Sequence, residues 1–179
     1  IYIGGNDSMD TIKKLSDYAI IKGHPQKFIG CPKTIDNDLA LTDHTPGFGS
    51  AAKYIAASTK EIIRDALGLT YKKDMITVVE VMGRNAGWLT GATALAKTEE
   101  CEGPDLIYLP EIPFDIDSFL AKVKELLQTK HSIVVAVSEG IKLADGRYVC
   151  ELSGGADYVD AFGHKQLTGT AAYLAGFLG

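Results

Sequence analysis

The stretch that decides the fold class is Ile133-Val134-Val135-Ala136-Val137, an unbroken run of five apolar residues. A run of this kind is expected of a strand that is buried on both faces, as in a parallel sheet covered by helices. The stretch Ile76-Thr77-Val78-Val79-Glu80-Val81-Met82 predicts a second strand because it is rich in β-branched residues. Helix-like segments lie between such strands, so the pattern predicts an α/β protein with mainly parallel sheets flanked by helices.

Strand-like and helix-like segments alternate along the rest of the chain. Short strands are predicted at 1–3, 28–31 and 106–109, the first of them buried, and a polar loop at 32–46. Asp115 is expected to cap a helix, residues 85–97 to form an alanine-rich helix, and Asp145-Gly146 a tight turn. The helix predicted after residue 8 ends at Gly23-His24-Pro25, and another helix starts near Leu167. Apolar residues at helical spacing predict three buried stripes: Met9, Ile12, Leu15, Ala19 and Ile20; Phe48, Ala51, Ile55, Thr59, Ile62 and Ala66; Ile116, Phe119, Leu120, Val123 and Leu127.

Composition excludes several classes of protein. The 179 residues are 46% hydrophobic and 23% charged, which is typical of a folded globular chain of one domain or two small ones. A net charge of −5 argues against binding to a nucleic acid backbone, and no apolar run approaches the roughly 20 residues of a membrane span. Three widely spaced cysteines without a CxxC pair indicate reduced thiols in a cytoplasmic protein rather than a disulfide framework or a zinc site.

In parallel α/β sheets ligands bind where strands end, so the polar residues there are the candidates for function. Gly4-Gly5-Asn6-Asp7-Ser8 follows the first strand. Two glycines let a phosphate approach the backbone, the following helix N-terminus attracts anions, and Asn6, Asp7 and Ser8 offer contacts to phosphate or metal. The alternative, about equally expected, is an Asp- or Ser-capped helix after a glycine turn. The P-loop pattern GxxxxGK[ST] is absent.

Pro32-Lys33-Thr34-Ile35-Asp36-Asn37-Asp38 follows the second strand. If this segment is extended, Asp36 and Asp38 point to the same side, where one carboxylate could accept a hydroxyl proton while the other orients it or binds metal. Lys33 could neutralise a transferred phosphate. A solvated acidic loop is the alternative.

Two further motifs follow the apolar strands. Met82-Gly83-Arg84-Asn85-Ala86-Gly87 places an arginine between glycines, which suits an anion, and its alternative is a surface arginine beside a packing glycine. Ser138-Glu139-Gly140 places a carboxylate where it could accept hydrogen bonds from a sugar, and its alternative is a turn residue. Together the four strand ends suit a phosphorylated polyol substrate.

The motifs GGNDS, PKTIDND, VVEVMGRNAG and VVAVSEG follow the order and rough spacing of the phosphofructokinase family, and this resemblance covers essentially the whole chain. TIDND together with VEVMGR is highly specific, whereas NAD kinases and diacylglycerol kinases have a turn similar to GGNDS. The resemblance implies two Rossmann-like domains and transfer of a phosphoryl group, with Mg²⁺ as cofactor, to the 1-hydroxyl of fructose 6-phosphate, giving fructose 1,6-bisphosphate.

The resemblance also implies roles for individual residues. Asp36 resembles the catalytic base, and Thr34 and Asp38 its neighbours around the sugar 1-position and the transferred phosphate. Asn6 stands where the family usually has a Mg²⁺-binding aspartate, and a neutral amide holds a cation less strongly. The remaining implied groups are the segment that contacts sugar phosphate and transition-state charge (Met82, Gly83 and Arg84), the sugar-binding glutamate (Glu139) and the phosphoryl-donor loop (Gly5, Asn6, Asp7 and Ser8).

Two positions distinguish the phosphoryl donor within the family. ATP-dependent members usually have glycine where Asp7 and Lys33 stand, and pyrophosphate-dependent members usually have aspartate and lysine. A carboxylate at Asp7 repels the α-phosphate of a nucleotide, and Lys33 adds positive charge for pyrophosphate. Pyrophosphate is therefore the expected donor. The alternatives are an ATP-dependent enzyme and a non-catalytic, regulatory sugar-phosphate-binding subunit.

The resemblance further predicts a division into residues 1–46, the remaining part of the phosphoryl-donor domain, and residues 47–179, an incomplete sugar-phosphate-binding domain. The chain is thus expected to be an internal fragment that lacks full activity alone, from a homodimeric or homotetrameric enzyme. In many bacterial ATP-dependent members an arginine that reaches a neighbouring subunit's substrate stands at the position of Met75. The segment around His164 is not assigned a role.

Overall fold

The computed structural model describes residues 1–69, 73–153 and 169–178. The chain forms two compact units, Ile1–Gly49 and Ser50–Gly179. The assignment of 1–46 to a donor domain and of 47–179 to a sugar-phosphate domain stays a prediction. His164 and the first residues of the helix predicted from Leu167 lie outside the described residues.

The first unit is a β–α–β arrangement. Strand β1 (Tyr2–Gly4) leads into helix α1 (Asn6–Ile21), which returns the chain to strand β2 (Gly30–Pro32). The two strands pair in parallel, with Gly4 opposite Pro32. The predicted strand at 28–31 is thus shifted by two residues at its start, whereas α1 ends before Gly23, as predicted.

Two burial predictions for this unit are wrong. The first strand is not buried, since Ile1 and Ile3 are 92% and 69% exposed. On α1, Ile12 and Ala19 are buried, but Leu15 and Ile20 are exposed. For α1 the physical reason is size, because two strands of three residues each cover only a small part of a helix of 16 residues.

The second unit contains a parallel sheet of three strands in the order β3-β5-β4. These strands are β3 (Met75–Val81), β4 (Leu106–Tyr108) and β5 (Ser132–Ser138). The central strand β5 is almost completely shielded from solvent from Ile133 to Ser138, which confirms the prediction of a strand buried on both faces. The prediction of an α/β fold with parallel sheets and flanking helices is therefore confirmed.

Helices cover both faces of this sheet. Helix α2 (Phe48–Gly68) packs Ile63 and Ala66 with Val134 of β5. Helix α4 (Ile116–Leu126) packs Phe119 and Val123 with the β5 residues that point to the other face, Ile133, Val135 and Val137. Helix α5 (Thr170–Ala175) adds Leu174 to the second of these clusters.

Local predictions for the helices are partly confirmed. The Asp115 carboxylate accepts a 2.7 Å hydrogen bond from the Ser118 amide, which confirms the cap and lowers the pKa of that carboxyl. The turn at Asp145-Gly146 is also confirmed, with Gly146 at φ +87°. On α2, Thr59 and Ala66 of the predicted stripe are buried, as predicted, whereas the predicted Ile62 is only half-buried and its neighbour Ile63 is buried instead.

The helix predicted over 85–97 is shorter than expected. Helix α3 spans only Trp88–Ala92, and a 3₁₀ turn follows at Thr93–Ala96. The reason is the preceding loop, since residues 84 and 85 form a bend and Gly87 takes the N-cap position, so the helix begins only at Trp88. Among the described residues, no helix is both long and apolar enough to cross a membrane.

Candidate functional site

The first unit brings two of the four predicted motifs together. Because β1 and β2 are parallel neighbours, the turn at 4–8 and the loop at 33–38 leave the same edge of the sheet. The Lys33 amide donates a 2.9 Å hydrogen bond to the Gly4 carbonyl. The glycine turn and the acidic loop are therefore adjacent at the backbone.

The glycine turn opens helix α1 without a side-chain cap. Gly5 is the N-cap residue, with extended backbone angles, and Asn6, Asp7 and Ser8 form the first helical turn. The Asp- or Ser-capped helix considered as the alternative is not what is observed. A side chain at Gly4 would overlap that of Ser8, so the close packing here requires glycine. The first amides of a helix have no acceptor within the helix, which leaves this end suited to an anion.

The acidic loop is not extended, as the argument from alternating side chains assumed. Residues 35 and 36 form a bend, and Asn37 has φ +59°, in the left-handed region that asparagine tolerates better than most residues. One carboxyl oxygen of Asp36 and one of Asp38 are nevertheless buried. Buried carboxylate oxygens do not fit the alternative of a freely solvated acidic loop. Lys33, in contrast, is exposed.

Thr34 and two residues that the sequence analysis did not select hold this loop. The Asp36 amide donates to the Thr34 hydroxyl over 3.1 Å, and Asn37 and Thr45 are both buried and hydrogen-bonded. The sequence signal that could have identified Asn37 is its residue type, because an asparagine between two carboxylates tolerates the left-handed backbone of a tight turn. Nothing in the sequence distinguished Thr45 from the other polar residues of the loop.

The second unit brings the other two motifs together, at the carboxyl ends of β3 and β5. The Gly83 amide donates a 3.2 Å hydrogen bond to the Glu139 carboxylate, and the Glu139 amide donates to the Val81 carbonyl over 3.0 Å. Met82 is exposed, whereas Arg84 and Glu139 are half-buried. The arginine and the glutamate thus stand on neighbouring loops.

Two glycines are required where these loops meet. A side chain at Gly140 would overlap the backbone of Arg84, with its β-carbon only 2.6 Å from the Arg84 carbonyl carbon. At Gly83 the β-carbon would lie 2.5 Å from the Ala86 carbonyl oxygen, in addition to the strain of φ +146°. The loops are therefore packed backbone against backbone.

Glu111 is a further acidic residue at this edge that sequence reasoning missed. It follows β4, and its carboxylate accepts a 2.7 Å hydrogen bond from the Gly87 amide, just before α3. Its position soon after a predicted strand, at 106–109, was the signal that could have found it. It fixes the end of the loop that begins at Met82.

A metal site made by the protein alone is not observed. Within residues 1–69, 73–153 and 169–178, no three His, Cys, Asp or Glu side chains are arranged to hold an ion. Mg²⁺, however, usually takes only one or two carboxylates and completes its shell with water and substrate phosphate. The buried Asp38 Oδ1, which has no hydrogen-bond partner among the described residues, fits such a ligand.

A cavity of about 700 Å³ lies at the opposite edge of the second unit's sheet, near the amino end of β5. Lys130 lies in its lining and is paired with Asp105 at 2.7 Å and Glu102 at 2.6 Å, and these bonds raise the pKa of its ammonium group. None of the predicted site residues lines this cavity. The candidate site therefore rests on the strand-end loops rather than on the cavity.

Parallel sheets with flanking helices and polar loops at the carboxyl edges define the chain as an α/β protein of the ligand-binding type. The family model described as phosphofructokinase matches residues 1–179. The chain belongs to the phosphofructokinase family.

Individual relatives agree with this assignment. The chain is 48% identical over 175 residues to the pyrophosphate–fructose 6-phosphate 1-phosphotransferase of Xanthomonas campestris pv. campestris, covering 98% of this chain and 41% of that protein. It is 40% identical over 143 residues to the sulfofructose kinase of Alkalicoccus urumqiensis, covering 80% of this chain and 37% of that protein. The crystal structure of a pyrophosphate-dependent phosphofructokinase from Nitrosospira multiformis matches with a TM-score of 0.68 and 46% identity, over 82% of this chain and 37% of that one. The chain thus spans about two fifths of these relatives' length.

Proposed function

We propose that the natural full-length protein transfers a phosphoryl group from pyrophosphate to the 1-hydroxyl of fructose 6-phosphate, giving fructose 1,6-bisphosphate. The observation that carries the proposal is the adjacency of the glycine turn and the acidic loop, joined by the Lys33–Gly4 hydrogen bond. The N-terminus of α1, which we propose binds phosphate, thereby adjoins a loop with two partly buried carboxylates. The names of the Xanthomonas and Nitrosospira relatives support the same reaction.

In the proposed mechanism Asp36 accepts the proton of the sugar 1-hydroxyl as its oxygen attacks the terminal phosphorus of pyrophosphate. The bond from that phosphorus to the bridging oxygen breaks, and orthophosphate leaves. Lys33 and Arg84 neutralise negative charge on the transferred group. Thr34 and Asp38 adjoin the sugar 1-position, Met82 and Gly83 contact the sugar phosphate, and the Glu139 carboxylate hydrogen-bonds the sugar.

The donor phosphates are assigned to the turn made by Gly5, Asn6, Asp7 and Ser8. Mg²⁺, when bound, neutralises phosphate charge, and Asp38 and Asn6 are the residues proposed to hold it. The Asn6 amide is the weaker ligand of the two, because it carries no charge. The resemblance further supports a homodimer or homotetramer in the cytoplasm.

The experiment that tests the proposal is a steady-state assay of the full-length protein with fructose 6-phosphate and either pyrophosphate or ATP. Pyrophosphate is expected to give the higher kcat/KM, because Asp7 repels a nucleotide α-phosphate. A preference for ATP at all concentrations would refute the donor assignment. Binding of fructose 6-phosphate in calorimetry without turnover with either donor would favour the regulatory-subunit alternative.

The sugar needs its own comparison, because one relative at 40% identity is named a sulfofructose kinase. The same assay with sulfofructose in place of fructose 6-phosphate decides between the two acceptors. The proposal expects the phosphorylated sugar to have the higher kcat/KM. Replacing Asp7 and Lys33 with glycine, singly and together, then tests whether these residues set the donor.

A further inference from the structure

Asn37, between the two candidate carboxylates, has the features of a residue that holds its neighbours in place. It is only 6% exposed although it is polar and lies in a loop. Its φ of +59° turns the backbone between Asp36 and Asp38. A buried asparagine in this conformation requires hydrogen-bond partners for both ends of its amide.

Both partners are present, and they lie six and eight residues further along the same loop. The Asn37 Nδ2 donates to the Asp43 carbonyl over 3.2 Å, and its Oδ1 accepts from the Thr45 amide over 2.9 Å. A donor facing a carbonyl and an acceptor facing an amide fix the amide in one orientation. The side chain therefore ties the middle of the acidic loop to residues 43–45.

Thr45 also connects residues 43–45 back to the start of the acidic loop. It is 3% exposed, and its hydroxyl donates a 2.6 Å hydrogen bond to the Thr34 carbonyl. The Thr34 hydroxyl in turn accepts from the Asp36 amide over 3.1 Å. Three hydrogen bonds thus link residues 34 and 37 to residues 43 and 45, and a fourth joins residue 36 to residue 34. We call this set of four the loop strap.

We propose that Asn37 and Thr45 are positioning residues, whose loop strap fixes the backbone from which the Asp36 and Asp38 carboxylates extend. The inference rests on the proposed phosphotransferase function and adds to it two residues that act through the carboxylates rather than on the sugar itself. Proton transfer depends on the base being held at the reacting hydroxyl, and a displacement of about 1 Å is enough to cost about a hundredfold in rate. Releasing the strap should therefore lower kcat more than it weakens sugar binding.

The test uses matched variants of the full-length protein. Asn37→Gly keeps the left-handed backbone but removes both amide hydrogen bonds. Thr45→Val keeps the shape and the backbone amide but removes the hydroxyl, and Thr45→Ser restores the hydroxyl. Thr42→Val is the control, because Thr42 is exposed and its hydroxyl donates to the Ala40 carbonyl two residues away rather than to the loop strap.

Asn37→Gly and Thr45→Val are expected to lower kcat by about tenfold to a hundredfold, with KM for fructose 6-phosphate changed by no more than about twofold. Thr45→Ser and Thr42→Val are expected to keep the wild-type kcat. Circular dichroism and thermal melting establish that each variant is folded at the assay temperature.

The outcomes separate this inference from the function on which it rests. Wild-type kcat in folded Asn37→Gly and Thr45→Val would overturn it, as would a fall in kcat that Thr45→Ser does not reverse. If Asn37→Gly does not fold, the comparison of Thr45→Val with Thr45→Ser decides. If Asn37→Gly and Thr45→Val both fail to fold, the loop strap serves stability alone and the proposal is overturned. If the wild-type protein turns over no sugar phosphate, the proposed function itself fails.

Discussion

The hydroxyl group of Ser138 donates a 2.5 Å hydrogen bond to the carbonyl oxygen of Gly83. The Ser138 hydroxyl oxygen also accepts a 3.2 Å hydrogen bond from the Gly140 amide. Ser138 is fully buried at the end of β5, whereas Gly83 follows β3. One hydroxyl therefore joins the loop that carries Arg84 to the loop that carries Glu139.

Removing this hydroxyl should loosen both loops. Ser138→Ala leaves a buried carbonyl and a buried amide without this partner, which is expected to lower the free energy of unfolding by about 1–3 kcal/mol. Urea denaturation measures the change. Ser132→Ala, at the other end of the same strand, is the control and should have a much smaller effect. Equal stability of the wild type and Ser138→Ala would show that the Ser138 hydroxyl does not hold these two loops together.

A methyl group at Gly140 should separate the same loops by steric overlap. In Gly140→Ala the new carbon would meet backbone atoms of Arg84, which cannot rotate away as a side chain would. We expect a loss of about 3 kcal/mol or more in unfolding free energy, together with loss of activity. Gly91→Ala is the matched control, because Gly91 lies in α3 with no atom within 4 Å of the added carbon. It should be neutral or slightly stabilising, since alanine favours helix.

The sequence was sufficient to predict the sheets and their direction, but not how far each element is covered. Ile133 to Val137 are apolar without interruption, a pattern typical of a strand that is buried on both faces of a parallel sheet. The exposure of Ile1 and Ile3 could not be read from their hydrophobicity, because burial depends on what the rest of the structure places over them. The late start of α3 depends on the bend at residues 84 and 85, which the apolar pattern does not encode.

For the candidate site, the motifs could be located but the contacts that hold them could not. Asp36 and Glu139 were selected by residue type and position after a strand. Thr45 was missed because its partner, the Thr34 carbonyl, is eleven residues away and the connection exists only in the folded loop. Glu111 was missed because its partner is the backbone amide of Gly87, and a sequence does not show which backbone amide a side chain will contact.

Asp36 is the residue whose loss should abolish turnover if the proposed mechanism is correct. Asp36→Asn keeps the shape of the side chain but removes the base, so kcat is expected to fall by about two to four orders of magnitude with little change in KM for the sugar. Asp43→Asn, in an exposed position of the same loop, is the control and should retain activity. Near-normal kcat in Asp36→Asn would exclude it as the base.

The hydroxyl of Tyr108 gives a prediction about stability that is independent of function. It is buried without a hydrogen-bond partner among the described residues. The tyrosine ring packs edge-on against the ring of Phe114, with 4.9 Å between the ring centroids. Tyr108→Phe keeps this packing and should stabilise the protein by about 1 kcal/mol, because it removes an unsatisfied polar group. Burial raises the pKa of the Tyr108 hydroxyl, so above about pH 10 the unfolded state loses this proton first and stability falls as pH rises. Measured by urea denaturation, the free energy of unfolding of Tyr108→Phe should fall less at high pH than that of the wild type. Tyr54→Phe is the control, because Tyr54 is exposed, and it should behave as wild type. Lower stability of Tyr108→Phe at neutral pH would mean that the hydroxyl has a partner in solution.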